Sequence, residues 1–315
     1  MQSSNHRYLI PLCFIGVMFF AIGFALGVNS YLVPLLEKAM AISTGESNLV
    51  IAATFSSFLI FGYPASMLIA RIGYKRTMGL SFVMFAMGFA LFIPSAAYES
   101  FLLFLGASFL CGMGNTFLQA TVNPYITILG SIESAAKRIS IMGICNKLAW
   151  PAAPLFLAAV IVIFLLLGLT VCVAPLPEVK AVGDDEECVD DCPYAAGKRS
   201  IWQFPHLLLG CLALFLYVGV ETLALATTVD YATALGLSDP QQYALFPSIG
   251  LVTGYVCGIV FIPRWLKQDT ALKICAWLAV FGSLLIVLTP AEWSIWAVSI
   301  IALACSLMWP ALWPL

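Results

Sequence analysis

Apolar residues along this chain fall in nine long blocks that short polar segments separate. A helix of about 20 residues rises about 30 Å, which is the thickness of the hydrocarbon core of a bilayer. The pattern therefore predicts membrane-spanning helices and an all-α polytopic membrane protein. We predict spans at residues 9–34, 48–70, 77–95, 101–128, 139–175, 204–234, 243–263, 271–289 and 294–313.

Composition narrows the class further. Of the 315 residues, 62% are apolar and only 10% are charged, and the mean hydropathy is +1.00, which excludes a soluble domain. The net charge of −2 leaves no basic surface for nucleic acid. Because the chain has two histidines, and most of its ten cysteines stand singly inside apolar blocks, we expect no metal, no cofactor and no enzymatic activity.

Basic residues predict the orientation of the spans. Cytoplasmic loops of membrane proteins are enriched in Lys and Arg, and three gaps between the predicted spans carry them. We therefore predict that the amino terminus and these three gaps face the cytoplasm: Arg71, Lys75 and Arg76, then Lys137 and Arg138, then Arg264, Lys267 and Lys273.

The block at 139–175 does not fit a single crossing. The acidic segment 176–203 must also be cytoplasmic, which requires an even number of crossings in this block. As one helix it would be about 55 Å long, too long for one span and too short for two. We predict an internal deletion that joins the front of a fifth helix to the back of a sixth, and we expect a truncated chain because it stops at Leu315 inside an apolar stretch.

Three amide side chains share one face of the fourth predicted span. Asn115, Gln119 and Asn123 are four residues apart, which places them one above another on a helix, and we place Gly112 on the same face. Amides inside a membrane need a partner, a wet cavity or a ligand. They indicate a wall that binds sugar hydroxyls, since an amide both donates and accepts. The alternative is that they join helices by hydrogen bonds.

Two charges lie deep in predicted spans, Lys147 and Glu221. Such charges are expensive in hydrocarbon and are candidates for function. Glu221 shares its block with Thr222, Thr227 and Thr228, which is typical of a wetted helix, so it is our candidate for carrying a proton. The alternative is a fixed structural pair of Lys147 and Glu221. Trp150 follows Asn146 by one helical turn and is a candidate for stacking on a sugar ring.

Several motifs carry a resemblance to a known family. Residues 70–76 (ARIGYKR) keep the arginine, glycine and terminal cations of the loop after the second span in the major facilitator superfamily, with Ala70 in place of its aspartate. Four further runs resemble the fucose permease family of sugar–proton symporters, in its glucose, galactose or N-acetylglucosamine branch: 118–130 (LQATVNPYITILG), 133–138 (ESAAKR), 143–147 (GICNK) and 215–221 (FLYVGVE).

The resemblance implies a major facilitator fold with about nine or ten of the family's twelve helices. Asn29 and Ser30 match an Asn-Asp pair, so the aspartate is missing; Gln119 matches a glutamate of the fucose permease; Asn146 matches a sugar-contacting asparagine. Ala226 stands where a second acid often follows Glu221. It is therefore open whether this chain couples protons through the acidic residues that the family uses.

Together these features predict an N-terminal helical bundle at 1–175, a cytoplasmic linker at 176–203 and a C-terminal bundle at 204–315. We expect a monomer in the bacterial inner membrane that imports a hexose or N-acetylhexosamine with protons by alternating access. Two alternatives stay open: a truncated membrane protein that transports nothing, and a carrier of the same fold for another substrate, such as an efflux carrier. The predicted sugar-binding residues are Asn29, Asn115, Gln119, Asn123, Asn146, Lys147 and Trp150, with Glu221 for proton coupling.

Overall fold

A computed structural model describes residues 5–40, 44–129, 134–149, 159–173, 205–226, 228–262 and 264–312. The first half contains α1 (Asn5–Met40), α2 (Thr44–Ala97), α3 (Phe101–Ile128), α4 (Ala135–Ala149) and α5 (Val160–Val173). The second half contains α6 (Pro205–Ala226), α7 (Thr228–Ala234), a 3₁₀ helix (Pro240–Ala244), α8 (Leu245–Phe261), α9 (Gln268–Leu288) and α10 (Ala291–Leu312). The predicted all-α class is confirmed.

Six helices in the described part of the chain are long and apolar enough to cross a membrane. The longest, α2, covers the predicted spans 48–70 and 77–95. Gly73 divides it, with φ 82° and ψ 168°, a backbone conformation open mainly to glycine. Thr77 Oγ1 donates a 2.8 Å hydrogen bond to the Gly73 carbonyl at this junction. The single helix is therefore two spans that meet at the basic loop.

Two blocks that the sequence predicts as single spans each contain two helices in the structure. The block 139–175 forms α4 and α5, of 15 and 14 residues, with 150–158 outside the described ranges. The described part of each rises about 22 Å. The even number of crossings that the basic loops require stays a prediction. The block 204–234 likewise forms α6 and the short α7.

The chain forms two compact units, Met1–Leu129 with Cys145–Val179, and Gly130–Ile144 with Lys180–Leu315. In the first, α2 packs against α3 and α5. The buried ring of Phe164 on α5 lies among three phenylalanines of α2, with centroid distances of 4.8 Å to Phe85, 5.2 Å to Phe89 and 6.2 Å to Phe82. This aromatic cluster fixes α5 on the second half of α2.

In the second unit, α10 packs against α8, α9 and α6. Glycines allow the close approach of α8 and α10: a Cβ atom on Gly250 would lie 2.4 Å from the Ser299 carbonyl oxygen, and one on Gly254 would lie 2.8 Å from that of Leu303. The first turns of α4 belong to this unit too, where Ala136 packs with Ile262 and Ala271.

Candidate functional site

The amide row lies on α3 as predicted, and its members differ in exposure. Asn115 and Asn123 are each 1% exposed, whereas Gln119 is half-buried. Gln119 Nε2 donates a 3.1 Å hydrogen bond to Asn115 Oδ1, one helical turn away. Asn115 therefore holds one end of the Gln119 carboxamide, and among the described residues no other hydrogen bond is found for the Gln119 side chain.

Two buried polar atoms of the row have no hydrogen-bond partner among the described residues. They are the donor Asn115 Nδ2 and the acceptor Asn123 Oδ1. In native proteins nearly all buried polar groups make a hydrogen bond. A buried polar group without one costs about 1–3 kcal/mol. Among the described residues, the α3 face thus carries one buried donor and one buried acceptor that are open to a further partner.

Contacts with α2 set the rotation of α3. Ser57 Oγ lies 3.3 Å from Thr116 Oγ1, and Ser57 also donates to the Thr54 carbonyl at 2.6 Å. A Cβ atom on Gly112 would lie 2.2 Å from that same carbonyl oxygen. Gly112 is therefore a helix-packing residue, because α2 occupies the space beside it. Sequence analysis missed Ser57 and Thr116, which fix the row in place.

Asn146 joins α4 to α1. Its Nδ2 donates a 3.1 Å hydrogen bond to the carbonyl oxygen of Phe19. The helices touch at Gly23, where a Cβ atom would lie 2.0 Å from the Asn146 carbonyl oxygen, so only glycine fits. One N–H of the Asn146 amide thus holds α4 against α1. The predicted contact of Asn146 with sugar would have to use its other N–H or its Oδ1 atom.

Glu221 on α6 has a partner that sequence analysis did not assign to it. The hydroxyl of Tyr217, one turn earlier, donates a hydrogen bond to Glu221 Oε2. Glu221 is half-buried, and Tyr217 is buried in a cluster with Leu251 and Tyr255 of α8 and Cys305 of α10. The sequence signal was the four-residue spacing of Tyr217 and Glu221, which places them on one helix face.

The remaining predicted residues are less defined. Lys147 is half-buried on α4, and its pairing with Glu221 stays a prediction. Asn29 lies within α1, but its side chain is outside the described part of the structure, as are Trp150 and Thr227 as whole residues. Their roles are predictions from the sequence alone.

Long apolar helices with amides and a carboxylate inside the helix bundles define a polytopic membrane transporter. Residues 13–315 match the model of the Major Facilitator Superfamily, and the chain belongs to this family. It is therefore a multi-pass membrane transporter and not an enzyme, as the sequence predicted.

Relatives and a solved structure agree with this assignment. The chain is 32% identical to the glucose/galactose transporter of Brucella abortus, over 99% of this chain and 81% of that protein. It is 23% identical to the L-fucose-proton symporter of Escherichia coli, over 84% of this chain and 68% of the symporter. It superposes on the crystal structure of the transporter FucP in the outward conformation with a TM-score of 0.79 at 21% identity, covering 97% of this chain and 83% of that one.

The alignment with the Brucella protein also bears on chain length. It runs over 337 positions, whereas this chain has 315 residues, so that relative has at least 22 residues in the aligned region that this chain lacks. The internal deletion predicted at 139–175 would produce such a difference, and its location stays a prediction.

Proposed function

We propose that this protein imports a hexose or N-acetylhexosamine together with protons across the bacterial inner membrane, by alternating access. The observation that carries the proposal is a pair of buried atoms on α3, Asn115 Nδ2 and Asn123 Oδ1, that have no hydrogen-bond partner among the described residues. The names of the relatives, a glucose/galactose transporter and an L-fucose-proton symporter, support the same substrate class.

A sugar suits an unmatched donor and an unmatched acceptor. Each sugar hydroxyl can donate one hydrogen bond and accept others, so one ligand can serve both kinds of group. An amphiphile carried by an efflux protein offers mainly apolar surface and would leave these atoms unsatisfied. The row therefore favours a polyhydroxyl substrate over an apolar one.

The residues of the row take different roles in this proposal. Gln119, the half-buried member, contacts the sugar with the groups that Asn115 leaves available. Asn115 orients Gln119 and offers Nδ2, and Asn123 offers Oδ1. Asn29, Asn146, Lys147 and Trp150 complete the proposed set of sugar-binding residues.

Glu221 is the proposed proton carrier. The position of the family's first-helix aspartate holds Ser30, which cannot carry a proton at neutral pH. Glu221 is half-buried on an apolar helix, and an ionisable residue at such a position is a candidate for a proton relay. We propose a monomer with bundles at 1–175 and 204–315 and a cytoplasmic linker at 176–203.

A second candidate function is a membrane protein that inserts but does not transport. The observation that favours it is the apolar block 139–175, which is too long for one span and too short for two. This candidate predicts neither sugar binding nor uptake.

Equilibrium binding to the purified protein tests the proposal. We expect glucose, galactose or N-acetylglucosamine to bind, and Gln119→Leu to weaken binding by about 5- to 150-fold, because about 1–3 kcal/mol of hydrogen bonding is lost. Gln242→Leu is the matched control, since the side chain of Gln242 is exposed and its Nε2 donates to the Ser238 carbonyl on the same surface turn. Equal effects of the two variants, or no binding of any of the three sugars, would contradict the proposal.

A further inference from the structure

One side of α9 carries an open groove. Its lining is apolar beyond the first two residues and consists of Thr270, Lys273, Ile274, Trp277, Leu278 and Phe281. These residues recur every three or four positions, so they lie along one side of the helix. Trp277, near the middle of the groove, is 76% exposed, and Ile274 and Phe281 are exposed as well. The groove is therefore an apolar surface with a cation near one end.

Positive charge collects where α9 begins. Arg264 and Lys267 come just before the helix, and Lys273 belongs to the groove itself; all three side chains are exposed. Among the described residues, none of the three forms an ion pair. Asp269 is the single acidic residue in 264–288. This end of α9 thus has an excess of positive charge.

The start of α4 adds to this charge. Ala136 packs with Ile262 and Ala271 within the same compact unit. The next two residues, Lys137 and Arg138, therefore lie at the same end of α9. Five cations and one carboxylate together attract an anion.

The groove has about the length of one membrane leaflet. Thr270 and Phe281 are eleven positions apart, which is about 17 Å along a helix. Half of the hydrocarbon core of a bilayer is about 15 Å thick. A lipid with its phosphate beside Lys273 therefore has room for an acyl chain along the apolar side chains. In the orientation predicted from the basic loops, this is the cytoplasmic leaflet.

We propose that this face of α9 binds an anionic phospholipid, with the phosphate at Arg264, Lys267 and Lys273 and one acyl chain in the groove. Exposed cations at the foot of an apolar, membrane-facing groove match a phosphate joined to hydrocarbon. The site is separate from the amide row on α3, so its test does not depend on sugar transport.

Quenching of tryptophan fluorescence by brominated lipid tests the proposal. The purified protein is placed in phosphatidylcholine vesicles that contain increasing amounts of phosphatidylglycerol with brominated acyl chains. The signal of Trp277 is the difference between the native protein and Trp277→Phe. We expect phosphatidylglycerol to bind beside Trp277 at least about fivefold more tightly than brominated phosphatidylcholine, since each Lys or Arg near a phosphate contributes about this factor.

Trp293 is the matched control for position. It is exposed near the start of α10, at the other end of α9. The difference between the native protein and Trp293→Phe should show equal quenching by the two lipids.

Charge variants test the contribution of the cations. Lys273→Gln should lower the preference for phosphatidylglycerol at Trp277 by about fivefold, and Asp269→Asn should raise it. Arg71→Gln removes one exposed cation from a different basic loop and should leave the preference unchanged. High salt should weaken the preference, because it screens exposed charges.

Three results would overturn the proposal. Equal quenching of Trp277 by the two lipids would show that α9 contacts bulk lipid without a binding site. No quenching by either lipid would show that protein covers this face, for example a second copy of the chain. Equal effects of Lys273→Gln and Arg71→Gln would show that the cations act only through the net charge of the protein.

Discussion

Replacing Asn115 by leucine distinguishes a sugar-binding wall from a row of amides that joins helices. Asn115 is 1% exposed and leucine has a similar shape, so the change removes polar atoms without opening a large cavity. The two interpretations predict opposite effects on stability. An amide that joins helices stabilises the fold, whereas an amide kept for a ligand costs stability while the ligand is absent.

The expected magnitude follows from the hydrogen bonds of Asn115. The variant loses the bond from Gln119, worth about 0.5–1.5 kcal/mol, and half-buried Gln119 can turn to water instead. It also removes the Nδ2 atom, which has no partner among the described residues; where no water satisfies this atom, its removal relieves about 1–3 kcal/mol of desolvation. The balance favours Asn115→Leu by about 1 kcal/mol, or about 2–4 °C in unfolding temperature on the scale of soluble domains of 150–250 residues.

The assay is thermal unfolding of the sugar-free protein in detergent, paired with sugar binding to the same samples. Asn115→Leu should unfold at a higher temperature and bind sugar about 5- to 150-fold more weakly, because Gln119 loses its orientation and Nδ2 is gone. Asn146→Leu is the comparison, since it removes a bond that is made, from Nδ2 to the Phe19 carbonyl. That variant should unfold at a lower temperature.

The opposite result would refute this reasoning. If Asn115→Leu unfolds at a lower temperature and binds sugar like the native protein, Asn115 joins helices and takes no part in recognition. The amide row would then be a structural feature that joins helices, and Asn115 would not orient Gln119 for sugar binding.

Two further predictions concern helix packing and topology. Gly23→Ala should destabilise the protein by about 1–3 kcal/mol in thermal unfolding, because its Cβ would lie 2.0 Å from a backbone oxygen of α4, whereas Gly62→Ala, with nothing within 4 Å of its Cβ, should be neutral or stabilising. A membrane-impermeant maleimide should label the linker thiols Cys188 and Cys192 only after cells are permeabilised, while Glu99→Cys should label in intact cells; labelling of the linker from outside would reverse the predicted orientation of residues 176–203.

Much of the helix pattern follows from the sequence. The predicted span 101–128 coincides with α3 (Phe101–Ile128), because Ser100 caps its first turn and the apolar block fills its length. The division of 139–175 into α4 and α5 was less visible, since the block reads as continuously apolar. Pro151 and Pro154 within the block were the available signal, because proline interrupts a helix.

The sequence predicts the residue types of the candidate site and the helix face on which they lie. It does not predict their hydrogen-bond partners. The spacing of Asn115, Gln119 and Asn123 predicts one face, but only three-dimensional packing determines which of their atoms stay unmatched. Tyr217 was not singled out, because its four-residue spacing from Glu221 allows a contact but does not fix the direction of either side chain.

The most direct test of the central claim is sugar uptake by proteoliposomes that contain the purified protein. With an alkaline interior, the protein should accumulate labelled glucose, galactose or N-acetylglucosamine above the external concentration, and a protonophore should abolish the accumulation. Uptake equal to that of protein-free liposomes for all three sugars, with or without the pH gradient, would contradict the assignment of this chain as a sugar–proton symporter.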